Sequence, residues 1–368
     1  MELSEAQLDR ALGVLLGQAC GDALGVPYEF GTAPGAHELA EMRGGGLGGF
    51  AQGEWSDDTQ MAVCIAKVAA TGVDLTTVDA LDEIAEGFLA WRRSGPADIG
   101  IQTSAVLGAA ERLQGRPSER LRQAARDYTA AHAHSAGNGA LMRTSAVALA
   151  SLDDPDRTAH AARVIAELTH ADPLAGDSCV IWSEAVRVAV IDGRFDFLAG
   201  HRLLDSARQQ QWAGWLADAL QCDPSRFTPN GFTVTALQAA TAAIVSTPTP
   251  TLMHEPLAEA EPASSPHLHF QEALHAAIRI GHDTDTVAAI AGGLLGARWG
   301  ASAVPTTWLE LLHGWPGLRV RDLTSLAALT VNGGRPGDTG CPAAGGGPAE
   351  LTESRRLNSH GVAGPSAH

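Results

Sequence analysis

Gly281-His282-Asp283-Thr284-Asp285-Thr286 is the stretch on which the reading of this chain turns. Two aspartates sit two residues apart among threonines, and an apolar, small-residue run from Val287 to Trp299 follows at once. That order describes an oxygen-rich turn feeding the N-terminus of a helix. Asp and Thr are also ordinary helix caps, because their oxygens accept from the free N–H groups of a first turn and a carboxylate suits its dipole. The turn is therefore either a cap or half of a metal site, and a second oxygen-rich cluster has to face it before the second reading gains weight.

Trp55-Ser56-Asp57-Asp58-Thr59 supplies such a cluster at the start of a helical run that continues through Ala66. Capping explains it too, with Ser56 as N-cap and Asp57 and Asp58 complementing the dipole. Together the clusters are harder to explain that way. Four carboxylates at two helix N-termini would repel one another strongly if the termini met inside the fold. Two divalent cations would cancel that charge. Oxygen donors without Cys or clustered His select hard ions, so Mg²⁺ or Mn²⁺ is expected rather than Zn²⁺. Paired metals orient and activate a water and polarise a substrate bond. Sequence alone does not say whether the two helix ends converge.

Working outward, the remaining pattern is helical. Apolar residues make up 45 % of the 368 positions and aromatics only 5 %; Ala and Leu dominate, which favours helix over sheet. Ser4 and Gln7 form a capping box before Leu8, Leu12, Leu15, Leu16 and Ala19, a helix face expected to end near Gly21. Further helices are expected over 58–70, 77–92, 102–113, 118–133, 140–150, 156–168, 172–191, 211–221, 233–245, 270–280 and 286–299, broken at Gly, Pro, Asn and Asp turns. No alternating strand period stands out. The expected fold is all-α, a compact multi-helix domain over residues 1–331. Residues 246–267, rich in Pro, Glu, Ser and Ala, read as a flexible insertion, and 332–368, rich in Gly, Pro and Ala, as a disordered tail. The cluster Gly44-Gly45-Gly46-Leu47-Gly48-Gly49 lacks the Lys-Ser/Thr ending of a phosphate-binding loop and reads as a connector.

A formal net charge of −17 argues against duplex nucleic acid or an anionic membrane as partner. The five cysteines (Cys20, Cys64, Cys179, Cys222, Cys341) show no CxxC spacing, and the acidic first residues do not resemble a secretory leader. A reduced, cytoplasmic protein is expected, with a monomer as the starting assumption.

Six segments then add up to a resemblance. In order they are GQACGDALGVPYEF (17–30), GEWSDDTQMAV (53–63), GPADIGIQT (95–103), GNGALMRTSAVAL (137–149), THADPLAGDSCVIWSEAV (169–186) and GHDTDTVAAIAGGLLGARWG (281–300). They resemble the signature segments of ADP-ribosylglycohydrolases, a family that includes the dinitrogenase-reductase-activating glycohydrolases, over roughly residues 8 to 330. The resemblance implies a binuclear Mg²⁺ or Mn²⁺ centre and cleavage of the glycosidic bond between ADP-ribose and a protein side chain or small acceptor. The partner would be an ADP-ribosylated protein or ADP-ribose conjugate, with nucleic acid entering only as an ADP-ribosylated acceptor. By motif position the metal ligands fall on Ser56, Asp57, Asp58, Asp283, Asp285 and Thr286. Ser56 stands where many members carry Thr, and His282 where Gly is frequent.

The same resemblance gives Glu29 and Asp98 catalytic positions beside the metals, as base, gate or holder of a guanidinium. It gives Asn138, Gly139, Arg143 and His170 substrate-side positions. The plain readings are a loop charge for Glu29, a turn residue for Asp98, an Asn-Gly turn for Asn138-Gly139, an internal ion pair for Arg143 and a structural histidine for His170. Asp22 reads as a helix-end residue or a support behind the ligands. Two alternatives stand beside the glycohydrolase. His132, His134 and His282-Asp283 raise an HD-type metal phosphohydrolase, which needs histidine ligands. A non-catalytic ADP-ribose binder on the same fold would show itself by lost metal carboxylates, and all four are present.

Overall fold

Glycine spacing, more than apolar periodicity, builds the centre of this molecule. The structure, a computed structural model, describes residues 2–249 and 265–336. The first helix, α1 (Glu5–Gly25), runs four residues beyond the expected end at Gly21. Gly13, Gly17, Gly21 and Gly25 lie one helical turn apart on one face of it. A Cβ at Gly13 or Gly17 would overlap the carbonyl oxygen of Gly296 or Gly292; at Gly21 it would overlap that of Ala288, and at Gly25 the backbone of Asp285. Gly292 and Gly296 are in the same position towards Gly17 and Gly13. Two backbones therefore touch along an antiparallel pair, and Gly21 is a packing residue rather than a helix stop.

The second member of that pair is the helix that follows GHDTDT. In chain order the helices after α1 are α2 (Asp57–Ala69), α3 (Val78–Arg93), α4 (Ile101–Ala110), α5 (Pro117–Ala131) and α6 (Ser145–Ala148). Next come α7 (Pro155–Ala166), α8 (Pro173–Asp192), α9 (Ser206–Gln221), α10 (Thr233–Ser246), α11 (Pro266–Arg279), α12 (Thr284–Trp299), α13 (Thr306–Leu311) and α14 (Val320–Val331). Every residue of α12 from Thr284 to Ala297 is buried, as befits a central helix without a polar face. Trp182 on α8 fastens it from another side, its indole donating to the Ile290 carbonyl at 3.1 Å. The expected all-α architecture holds, and the Ser4–Gln7 capping box is present.

Three expectations need correction. The helix expected over 140–150 is instead a 3-10 turn (Asn138–Arg143), the four-residue α6 and a second 3-10 turn (Leu149–Ser151). Its buried Arg143 and Thr144 bond to neighbouring segments at Thr169 and Ser183, so tertiary contacts outweigh the local helical pattern there. The helices α13 and α14 were not expected, nor was the hairpin β1 (His313–Gly314) with β2 (Leu318–Arg319). Finally, Ser246 closes α10 and Pro266–His267 open α11, so the ends of the expected insertion are helical. Its interior and the tail beyond 336 lie outside the described residues. No helix among the described residues is long and apolar enough to cross a membrane.

The close α1–α12 contact predicts a sharp contrast between two glycine substitutions. Gly17→Ala is expected to destabilise by about 3 kcal/mol, since the new methyl has only backbone to displace. Gly214→Ala, on the exposed face of α9 with nothing within 4 Å, is expected to stabilise by up to about 1 kcal/mol through helix propensity. Denaturant midpoints of the two variants check both.

Candidate active site

The α1–α12 contact brings Asp22 on α1 close to the first turn of α12, and α2 begins against both. Most helix N-termini that bear Ser, Thr or Asp at the N-cap use that side chain as a cap: Ser4, Thr77, Asp154, Asp172, Asp205 and Ser265 all do. Ser56 and Asp283 do not cap α2 and α12. Asp22 performs the task for α2 from across the interface. Its carboxylate accepts from the Ser56 amide at 2.7 Å, the Ser56 hydroxyl at 2.8 Å, the Thr59 amide at 3.0 Å and the Thr59 hydroxyl at 2.6 Å. The side chains of Ser56, Asp57 and Asp58 are thereby released from local capping, so the capping explanation of both clusters fails.

The two helix ends meet. The Ser56 hydroxyl lies 3.0 Å from Asp58 Oδ2 and 3.3 Å from Asp285 Oδ2, besides its contact with Asp22. One hydroxyl proton cannot serve three carboxylates at once. Carboxylate oxygens of Asp22, Asp58 and Asp285 all lie within 4.8 Å of one another, and so do those of Glu29, Asp98 and Asp285. Asp58 Oδ1 and Glu29 Oε2 are buried without a hydrogen-bond partner. Among the described residues no salt bridge reaches Asp22, Glu29, Asp57, Asp58, Asp98, Asp283 or Asp285.

Burial and mutual repulsion raise the proton affinity of this cluster. Asp22 is pushed up to about 6 by burial, against the pull of its four donors. Asp57 is pushed to about 8 by burial, then by Asp98 and Asp22. Glu29 reaches about 9 through burial, then through Asp98, Asp283 and Asp57. Asp58 and Asp285 rise well above the usual carboxylate range, both first by burial, then Asp58 by Asp22 and Asp57 and Asp285 by Asp58 and Glu29. Asp283 rises as well through burial, moderated by the Asn138 amide.

The cluster opens on a cavity of about 530 Å³ lined by Glu29, Asp57, Asp98, Asn138, Gly139, His170, Asp283 and Thr286, among others. Eight of the twelve expected site residues thus share one wall, with Ser56, Asp58 and Asp285 behind it. Asn138 belongs to the wall, and its amide donates to Asp283 Oδ2 at 2.8 Å. Asp98 accepts from the Ile99 amide at 2.7 Å. Arg143 is placed differently: it is 1 % exposed, does not line the cavity and forms no carboxylate pair. Its guanidinium lies 4.5 Å from the centre of the Phe88 ring and donates to the Thr169 hydroxyl at 2.7 Å.

Sequence reasoning missed several supports. Asn230 accepts from the Asp283 amide at 3.0 Å and donates to the Gly281 carbonyl at 3.1 Å, pinning the GHDTDT turn; in the sequence it is one more Pro-Asn-Gly turn. Gln18 bridges the carbonyls of Asp58 and Met142 at 3.3 and 3.2 Å. The short β hairpin holds Trp55, whose amide donates to the His313 carbonyl at 3.1 Å. His282 has φ of 62°, the left-handed region that Gly favours, and its carbonyl accepts from the amide of Phe30, itself at φ 46°. A residue with a Cβ meets that backbone demand only with strain.

This electrostatics carries a pH signature for the metal-free protein. The raised groups hold more protons folded than unfolded, so their stabilisation is present at low pH and lost as pH rises through the folded values. His170 and His275, lowered to about 3 and about 4, act oppositely but are spent by neutral pH. Between pH 7 and 9, where Asp57 and Glu29 titrate, chelator-treated protein is expected to lose thermal stability. Mn²⁺ should restore it most at the alkaline end. A midpoint that rises across that window without metal would contradict the cluster's electrostatics.

Comparison with known proteins agrees with this geometry. The family model for ADP-ribosylglycohydrolase matches residues 3–337. An ADP-ribosyl-[dinitrogen reductase] glycohydrolase of Rhodospirillum rubrum is 29 % identical, with 83 % of this chain and 90 % of that one covered. An ADP-ribosylarginine hydrolase of Serratia proteamaculans is 25 % identical over 83 % of this chain and 75 % of its own. An ADP-ribosylhydrolase of Homo sapiens is 25 % identical over 84 % and 90 %. Among solved structures, a chain titled "ADP-ribosylglycohydrolase-related protein complex" superposes with a TM-score of 0.62 at 26 % identity, covering 90 % of this chain and all of that one. An acidic pocket built where two helix N-termini converge, on a helical fold shared with these hydrolases, identifies the chain as a member of the ADP-ribosylglycohydrolase family.

Proposed function

We propose that this protein is a divalent-metal-dependent hydrolase that releases ADP-ribose from a glycosidic linkage to a protein side chain or small acceptor. One observation carries the metal dependence: buried carboxylates of Asp58 and Asp285 share a single hydroxyl between two helix ends whose own N-cap side chains do not cap them, and among the described residues no salt bridge offsets them. Such a site is stable at neutral pH only when protons or cations fill it. The donors are all oxygen, which suits Mg²⁺ or Mn²⁺. Ser56, Asp57, Asp58, Asp283, Asp285 and Thr286 are the residues assigned to hold two such ions, and the bound pair supplies charge neutralisation and polarisation of a coordinated oxygen.

The chain's own residues do the rest. Asp22 fixes the start of α2, and Asn138 with Asn230 fixes Asp283, so the ligand atoms are held before substrate arrives. Glu29 and Asp98 stand together on the cavity side of the cluster. As water bonds to the anomeric carbon, one of these carboxylates takes its proton, and the acceptor leaves with the electron pair of the broken C–N or C–O bond. Gly139 allows the ligand close approach to the turn that carries it, and His170 presents its ring to the same space. The residues of the acid cluster are all present, which weighs against a non-catalytic binder. Against the phosphohydrolase reading, neither acidic group found among the described residues includes a histidine, and His132 is stacked on Tyr128 and bonded to its carbonyl, although His134 lines the cavity.

Release of ADP-ribose from a panel of defined conjugates (arginine, serine, small-molecule and base adducts), with and without Mg²⁺ or Mn²⁺, tests the reading. Metal-dependent release from at least one class is expected. Asp285→Ala should abolish it, and Asp22→Asn should weaken metal affinity by about 10–100-fold through the misplaced start of α2. An Asp285→Ala variant as active as wild type under limiting metal would sink the proposed centre. Phosphate release without ADP-ribose release would restore the phosphohydrolase.

A further inference from the structure

Arg143 does not line the cavity, yet it is not idle. It is fully buried and joined to a cavity residue by a chain of hydrogen bonds. Its Nη2 donates to Thr169 Oγ1 at 2.7 Å, and Thr169 Oγ1 lies 2.8 Å from His170 Nδ1. These are the only two partners of the Thr169 hydroxyl among the described residues, and Thr169 is itself 0 % exposed. A guanidinium has only donors, so Arg143 occupies a lone pair of the hydroxyl. The hydroxyl proton then has one acceptor within reach, His170 Nδ1. If the imidazole carried its proton on Nδ1, the Thr169 proton would be buried without a partner, the costly arrangement in a dry interior. The chain of donors therefore runs one way, from Arg143 through Thr169 to Nδ1, and the ring proton must sit on Nε2.

That nitrogen faces the ligand side. His170 lines the cavity, and among the described residues Nε2 has no hydrogen-bond partner. A Cβ on Gly139 would stand 3.3 Å from Nε2 and one on Gly137 3.4 Å, so the two glycines leave this ring edge uncovered. The ring stays neutral, since burial, and then the Arg143 charge, lower its proton affinity to about 3.

We propose that Arg143 and Thr169 are positioning residues that lock His170 as the neutral Nε2–H tautomer, a fixed donor for an acceptor-only phosphate oxygen of the bound nucleotide. The ligand half of this proposal rests on the ADP-ribose reading above; the tautomer half does not. A bare Nε2 would turn a lone pair towards the phosphate, so the relay decides whether this wall of the cavity attracts or repels the ligand. It also explains a buried arginine that forms no ion pair: the charge polarises the Thr169 hydroxyl and opposes protonation of the ring.

The test is ¹⁵N ring-shift spectroscopy of the full-length protein at pH 7, with His170 assigned by its absence in His170→Gln, combined with calorimetric ADP-ribose binding. Wild type is expected to show a protonated Nε2 and an unprotonated Nδ1. Thr169→Val should lose that pattern, weaken ADP-ribose binding about tenfold and raise KM by a similar factor while kcat changes less than about twofold. Thr169→Ser, which keeps the hydroxyl, should restore both the shifts and the affinity. A ring found as Nδ1–H or doubly protonated in wild type overturns the lock, whatever the enzyme hydrolyses. A Thr169→Val protein that folds and loses the tautomer but binds ADP-ribose as wild type does overturns the donor role. Failure of wild type to bind ADP-ribose at all refutes the functional reading and the donor role with it, and leaves the tautomer to be judged by the spectrum alone.

Discussion

Backbone-to-backbone contact between α1 and α12 is the constraint on which the other features depend. Gly13, Gly17, Gly21 and Gly25 on one helix meet Gly296, Gly292, Ala288 and the backbone of Asp285 on the other. No side chain fits between them, so the separation of the axes is set by the main chain rather than by adjustable rotamers. Asp22 follows Gly21 directly and Asp285 lies opposite Gly25. The spacing of those two acids is thus fixed by the tightest interface in the fold. Thr284 adds a stitch at the same point, its hydroxyl donating to the Gly25 carbonyl at 2.9 Å.

On that rigid pair the protein assembles a cluster that is electrostatically unfavourable by itself. Asp22 gives up any part in the cavity wall to organise α2, accepting four hydrogen bonds, among them the one from the Thr59 amide that a local cap would otherwise have accepted. Ser56 gives up its capping position to stand among three carboxylates. The stability lost in repulsion is the basis of affinity for whatever positive charge enters. This is why the same residues that disfavour the empty site at alkaline pH would favour a divalent cation.

The helical class and the two acid-rich helix starts could be read from residues in order, because capping chemistry and apolar periodicity are local. Gly21 shows the limit. A lone glycine in a helical run reads as a stop, and only its partner across the interface turns it into a contact residue. The β hairpin at His313–Arg319 is two residues per strand, too short for any period to register, yet it carries Trp55 next to the site. Asn230 looks like every other turn asparagine until the Asp283 amide is placed against it. Arg143 is hard to place for a related reason: after an Asn-Gly turn an arginine reads as a substrate contact or an internal ion pair, while Phe88 and Met61, which it packs against, are distant in sequence. By contrast α14 is legible, with Val320, Leu323, Ala327 and Thr330 at helical spacing.

The convergence of the α2 and α12 starts around divalent cations is the central claim, and anomalous diffraction from crystals soaked in Mn²⁺ tests it most directly. Two peaks are predicted between Ser56-Asp57-Asp58 on one side and Asp283-Asp285-Thr286 on the other, both lost in Asp285→Ala. Manganese bound elsewhere on this acidic chain, with no peak between those two helix ends, would contradict the claim.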